Sequence, residues 1–195
     1  MFNYPKIIFY GAFLCLLLFM TACSGKDTHV VSDHYSLAEC KKELLEANDY
    51  TEEESVDFII VEKKERKMYL YKNNQIQSTL PISLGKNPLG TKEQEGDNKT
   101  PEGTFWIHRK LCSPKYYRSL CISYPREEDK QKAAQKGVSP GKNITIHAQP
   151  TWNADGHGDT YTLANNWTQG CVAITNNDMK KLWYAVREGV PVIIR

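Results

Sequence analysis

The chain has no block of five or six like charges, no internal repeat and no low-complexity tract. It also lacks the H-E-x-x-H and paired C-x-x-C spacings that mark common zinc sites. Lys+Arg 25 against Asp+Glu 23 leaves a formal net charge of +2, which excludes a binder working by neutralisation of nucleic-acid phosphates. What is present, 41% hydrophobic and 25% charged residues in 195, describes an ordinary globular chain of one domain with an appendage.

The apolar run is short. Residues 1–22 hold one charge, Lys6, followed by fourteen apolar residues from Ile7 to Met20. At 1.5 Å per residue these cover about 21 Å, less than the ~30 Å core of a bilayer. A basic start, a short apolar stretch and small residues at its end read as a secretory signal. Met20-Thr21-Ala22-Cys23 resembles a bacterial lipobox, with Met20 where Leu is usual. The resemblance implies removal of residues 1–22 and lipidation of Cys23. With Ser24 next, it implies an anchor in the outer membrane facing the periplasm, held by more than one acyl chain. The competing reading is an ordinary signal peptide with an incidental Cys23. Residues 23–55 then comprise a tether and a short helix.

Export places the remaining thiols in an oxidising compartment. Of Cys15, Cys23, Cys40, Cys112, Cys121 and Cys171, the first leaves with the signal and the second carries lipid. Cys112 and Cys121 either close a short disulfide loop, worth roughly 2.5–3 kcal/mol by loop entropy, or stay as two buried thiols. Cys40 lies on the apolar face of a helix opened by the capping box Ser36-Leu-Ala-Glu39 and ending near Asn48-Asp49, which predicts a buried structural thiol.

From Val56 the pattern turns to strands: Val56–Glu62, Met68–Lys72, Gln75–Leu84, then Gly103–His108, Ser119–Tyr124, Ile144–Ala148 and Val190–Ile194. Gly85–Lys99 reads as a mobile loop. Helices are expected near Pro125–Lys136 and over Asp178–Arg187, where Met179, Leu182, Trp183 and Val186 recur at helical spacing. The fold class is mainly β (α+β).

Chemistry concentrates in two segments, Thr145-Ile-His147-Ala-Gln-Pro150-Thr-Trp152 and Asn166-Trp-Thr168-Gln169-Gly170-Cys171-Val-Ala. A Cys needs a base or a cationic neighbour to act as a nucleophile at neutral pH, and His is the usual one. Gly170 permits a tight turn that can aim peptide N–H groups at an oxyanion, and Thr168 can orient the imidazole or brace the turn. Trp152 and Trp167 flank the segment and either stack on substrate or pack in the core. His157, between Asp155 and Asp159, reads as an exposed loop residue.

These segments resemble the active-site motif of YkuD-type L,D-transpeptidases: Ile-His, an insert, then Ser/Thr-x-Gly-Cys. Thr100-Pro-Glu-Gly103, Ser119–Pro125 and Ser139–His147 extend the resemblance toward the YafK-like branch, over roughly residues 56–195. It implies a YkuD-like β-sandwich or barrel with a few short helices. It further implies Cys171 as nucleophile, His147 as general base, Gly170 and Cys171 N–H groups as oxyanion donors, and Thr168, Gln169 and Trp152 as supporting residues. No metal or cofactor is implied. The implied substrates are peptidoglycan stem peptides, attacked at the L-centre of diaminopimelate to give a thioester, with a wall-linked lipoprotein as a further partner. Gln169 and Ala173 stand where many members have His and a polar residue, which the resemblance reads as a change of substrate or acceptor. Transfer to an amine is the leading outcome. Hydrolysis on the same fold and a non-catalytic wall-binding lipoprotein are the alternatives.

Overall fold

The computed structural model describes residues 36–46 and 55–195. The expected signal, the tether, Cys15 and Cys23 lie outside the described residues. Along the chain come α1 (Leu37–Glu46), β1 (Phe58–Glu62), β2 (Lys67–Lys72), β3 (Gln75–Pro81), β4 (Gly103–Ser113), β5 (Tyr117–Ile122), α2 (Glu127–Gln135), β6 (Thr145–His147), α3 (Asp159–Ala164), β7 (Val172–Ala173), α4 (Asn176–Ala185) and β8 (Pro191–Ile194). The eight strands form one sheet in the order β3-β2-β1-β8-β4-β5-β6-β7.

β4 joins the two halves. Its first residues pair with β8 (Phe105 opposite Val192), and after an irregularity between Ile107 and Arg109 its remainder pairs with β5. The polar stretch after His108 gives no period-two signal, so pairing with β5 alone carries β4 on to Ser113. Beyond β3 the chain returns to the far edge. Ser83 exchanges backbone hydrogen bonds with Ala173 at 2.8 and 2.9 Å, and Gly85 bridges to Thr168, so the two ends of the sheet meet. Inside lie the alternate residues of the strands, among them Ile59, Val61, Met68, Phe105, Ile107, Leu120, Ile146 and Val192, with Met179, Leu182 and Trp183 of α4. Thr175 caps α4 by accepting from the Asp178 N–H at 3.1 Å, which starts the helix two residues before the expected Asp178.

The cysteine pairing differs from both sequence readings. Cys112 stands opposite Arg118 on β5, whereas Cys121 stands opposite Arg109. Three residues of strand, about 10 Å, and the alternation of faces keep Cys112 and Cys121 apart. Cys112 bonds instead to Cys40, at a Cα–Cα distance of 5.8 Å, so Cys40 is no free structural thiol. Cys121 and Cys171 remain as thiols. A second tie reinforces the first. Glu43 of α1 takes the Arg118 Nε–H at 2.7 Å and pairs with a second guanidinium nitrogen, both side chains buried. The ring of Tyr117 lies 4.4 Å from the Arg118 guanidinium carbon. α1 is therefore fastened to the β4–β5 hairpin by a covalent bond and a buried bidentate ion pair.

Replacing Cys40 and Cys112 by Ser frees a 72-residue separation. It should cost about 4 kcal/mol of stability by loop entropy, seen as a lower urea midpoint under non-reducing conditions. An unchanged midpoint would show that the bond does not form.

Candidate active site

The site is built on the parallel pairing of β6 with β7, where Ile146 faces Val172 and His147 faces Ala173. Thr145 and His147 lie two apart on one face of β6, and Cys171 immediately precedes β7. The Thr145 hydroxyl donates to Cys171 Sγ at 3.6 Å, and the thiol lies 3.7 Å from the Asn143 carbonyl oxygen. His147 and Cys171 open onto one cleft of about 960 Å³, also lined by Lys86, Lys115, Tyr116, Lys142, Trp152, Trp167, Thr168 and Gln169.

Two glycines let three backbone segments press together beneath Cys171. Gly170 has φ +128°, and a Cβ there would stand 2.6 Å from the Lys99 carbonyl oxygen; one on Gly85 would stand 2.1 Å from that of Asn98. Thr168 braces the turn rather than the imidazole. Its hydroxyl donates to the Cys171 carbonyl at 2.7 Å and accepts from the Gly170 N–H at 3.1 Å. This corrects one expectation: the Gly170 N–H is taken up inside the turn and is not presented to the cleft as an oxyanion donor.

His147 is fully buried. Its Nδ1 lies 2.7 Å from the Ala148 carbonyl oxygen, which requires Nδ1 to carry the proton and leaves the lone pair on Nε2. Nε2 is buried and has no partner among the described residues. Tyr116, in the β4–β5 turn, stacks on the imidazole with ring centroids 3.9 Å apart and planes inclined by 19°, and Trp167 meets it edge-on at 5.5 Å. Burial pushes the imidazole down to about 4, against the opposing pull of the Ala148 carbonyl, and the charge of Lys115 lowers it further. Burial also pushes the Cys171 thiol up, with the Thr145 hydroxyl and N–H pulling back. Burial therefore biases both the thiol and the imidazole toward their neutral forms.

The other candidates separate clearly. Gln169 is exposed on the cleft, and Trp152, 65% exposed, forms part of its wall. Ala173 is fully buried opposite His147 in the β6–β7 register and is absent from the lining of the cleft. His157 is exposed and bonded to Asp155 at 3.0 Å, away from the cleft. Among the described residues no three of His, Cys, Asp and Glu gather as a metal site. Sequence reasoning missed Tyr116 and Thr145; the period-two spacing from His147 was a usable signal for Thr145, and Tyr116 had none.

Comparison with known proteins follows the same segments. Residues 56–194 match YkuD, the L,D-transpeptidase catalytic domain. YafK of Escherichia coli strain K12 is 27% identical over 135 residues, covering 66% of this chain and 46% of that protein. The helical cell shape determining protein Pgp2 of Campylobacter jejuni superposes with a TM-score of 0.53 at 25% identity, over 83% of this chain and 56% of that one. Bd1075 of Bdellovibrio bacteriovorus superposes with a TM-score of 0.50 at 28% identity, over 72% and 48%. The chain spans about half the length of these relatives.

Two outcomes follow from the buried imidazole. Its pKa in the folded chain, about 4, lies below the unfolded value of about 6.5, so between the two the unfolded chain binds the extra proton. The stability contribution is complete above about pH 6.5 and falls by about 3 kcal/mol as pH drops to 4, a slope that His147→Gln should flatten in denaturant titrations. Tyr116→Ala should open the ring to water and raise the His147 pKa toward 6.5, read by NMR titration of the imidazole.

Proposed function

The chain belongs to the YkuD family of L,D-transpeptidase catalytic domains, and from that premise we propose that it is a cysteine acyltransferase acting on peptidoglycan stem peptides, with Cys171 as nucleophile and His147 as general base. One observation carries this reading. A buried imidazole nitrogen with its lone pair free and no partner among the described residues shares a cleft with a free thiol. Leaving such a nitrogen unpaired costs stability, and it is retained where a proton has to be received.

In this reading Cys171 Sγ attacks the carbonyl carbon at the L-centre of diaminopimelate while its proton passes to His147 Nε2. The Nδ1–H bond to the Ala148 carbonyl holds the ring and supports the imidazolium that forms. Collapse of the tetrahedral adduct breaks the carbon–nitrogen bond, and the departing amine takes the proton from Nε2, leaving a thioester on Cys171 and a neutral imidazole. An acceptor amine then attacks the thioester, gives its proton to His147, and releases Cys171 as the thiol. Water in place of the amine gives hydrolysis by the same steps. Since Gly170 spends its N–H on Thr168, the Cys171 N–H is the oxyanion donor in this scheme. Trp152 and Gln169 stand on the wall where the stem lies.

An envelope location with a lipid anchor at Cys23 belongs to the same reading. The Cys40–Cys112 bond supports it, because such cross-links persist in oxidising compartments. Changes in stem length or cross-linking would link the chain to cell shape, the role named for the Campylobacter protein.

The deciding measurement is mass spectrometry of muropeptides incubated with the chain and with Cys171→Ala. New cross-links or exchanged D-amino acids dependent on Cys171 establish transfer. Shortened stems or released lipoprotein peptide establish hydrolysis, and no change with either protein, despite binding to sacculi, leaves a wall-binding lipoprotein. Because His147 is neutral above about pH 4, kcat/KM should hold down to about pH 5 and fall only near 4, well below the limb of an ordinary histidine. A limb near 6.5 would remove His147 as the buried base.

A further inference from the structure

The cleft is unevenly charged. Lys86, Lys115 and Lys142 stand around its mouth, all exposed, and among the described residues none of their ammonium groups has a carboxylate partner. Lys115 rests over the ring of Tyr116 at 5.0 Å, the same ring that covers His147. Lys92 also lines the cleft, but it is buried and pairs with the half-buried Asp97 at 2.8 Å. Glu95 is the one carboxylate of the lining, and it accepts a hydrogen bond from Ser139 at 3.0 Å. A surplus of two positive charges therefore faces the nucleophile in a chain that is nearly neutral as a whole. Trp167 adds a donor on the same wall, since its buried indole N–H has no partner among the described residues.

We propose that Lys86, Lys115 and Lys142 form a carboxylate-reading rim, so that the donor is a stem peptide whose carboxylates are free and not converted to carboxamides. The inference rests on the stem-peptide reading given above. A stem with diaminopimelate at position three followed by D-alanine carries one carboxylate at the D-centre and one on the leaving residue, on the two sides of the scissile bond. Converting either to a carboxamide keeps its size and removes its charge. Three separated cations around a cleft focus the field on such a ligand and orient it before chemistry.

The test uses the full chain carrying Cys171→Ala, so that binding is read without turnover, with Cys171→Ser as a second background. Isothermal titration compares a synthetic tetrapeptide stem bearing diaminopimelate and free carboxylates with the same stem carrying carboxamides. The free-acid stem should bind roughly tenfold more tightly, the sum of two exposed charge pairs. The preference should shrink in high salt and disappear in the combined Lys86→Gln, Lys115→Gln and Lys142→Gln variant. Equal affinity for both stems, a preference that survives the triple substitution, or binding of neither stem overturns the rim. Turnover of muropeptides by the unsubstituted chain judges the acyltransfer reading separately, so the two failures are told apart.

Discussion

The register between two very short strands governs everything that happens at the site. β6 has three residues and β7 has two, yet their parallel pairing puts Cys171 beside Thr145 and Ala173 beside His147. Side chains alternate along a strand, so a slip of one residue would turn either the thiol or the imidazole away from the cleft. So few ladder bonds cannot hold such a register alone. It is held from behind by Ser83 and Gly85, which bridge to Ala173 and Thr168, and from within by the Thr168 hydroxyl, which ties the turn at both ends. The glycines at 85 and 170 are needed because side chains there would force these backbones apart.

Around that register the chain buries an imidazole against aromatic rings. An imidazole sandwiched against Tyr116 and edged by Trp167 cannot be charged cheaply, and a thiol in the same surroundings cannot lose its proton cheaply. Both side chains are thereby biased toward their neutral forms, unlike a cysteine held as thiolate beside a cation.

The sequence made some of this readable and hid the rest for definite reasons. His147 and Cys171 stood out because each sits at a strand end beside residues that shape a turn, and α4 stood out because Met179, Leu182 and Trp183 recur on one helical face. The mainly-β character and the few short helices followed from the same patterns. The bond partner of Cys112 did not, because closeness in sequence suggested Cys121, whereas strand register decides which cysteines can meet. The N–H of Gly170 was assigned to the cleft, but its direction depends on a positive φ and on a neighbouring hydroxyl that no spacing rule displays. Tyr116 was invisible because it reaches His147 only through the hairpin between β4 and β5.

That hairpin raises the matter of where the working unit ends. The matched domain begins at residue 56, while α1 lies wholly before it and holds the hairpin through Cys40 and Glu43. A fragment cut at the domain boundary would remove the carboxylate partner of Arg118, and would lose the covalent stay on the hairpin whose turn carries Tyr116 over His147. The ties that hold this hairpin therefore cross the boundary of the matched domain. Ten residues of helix thus act as a clasp from outside the matched domain, closed on the hairpin by one covalent bond and one buried ion pair.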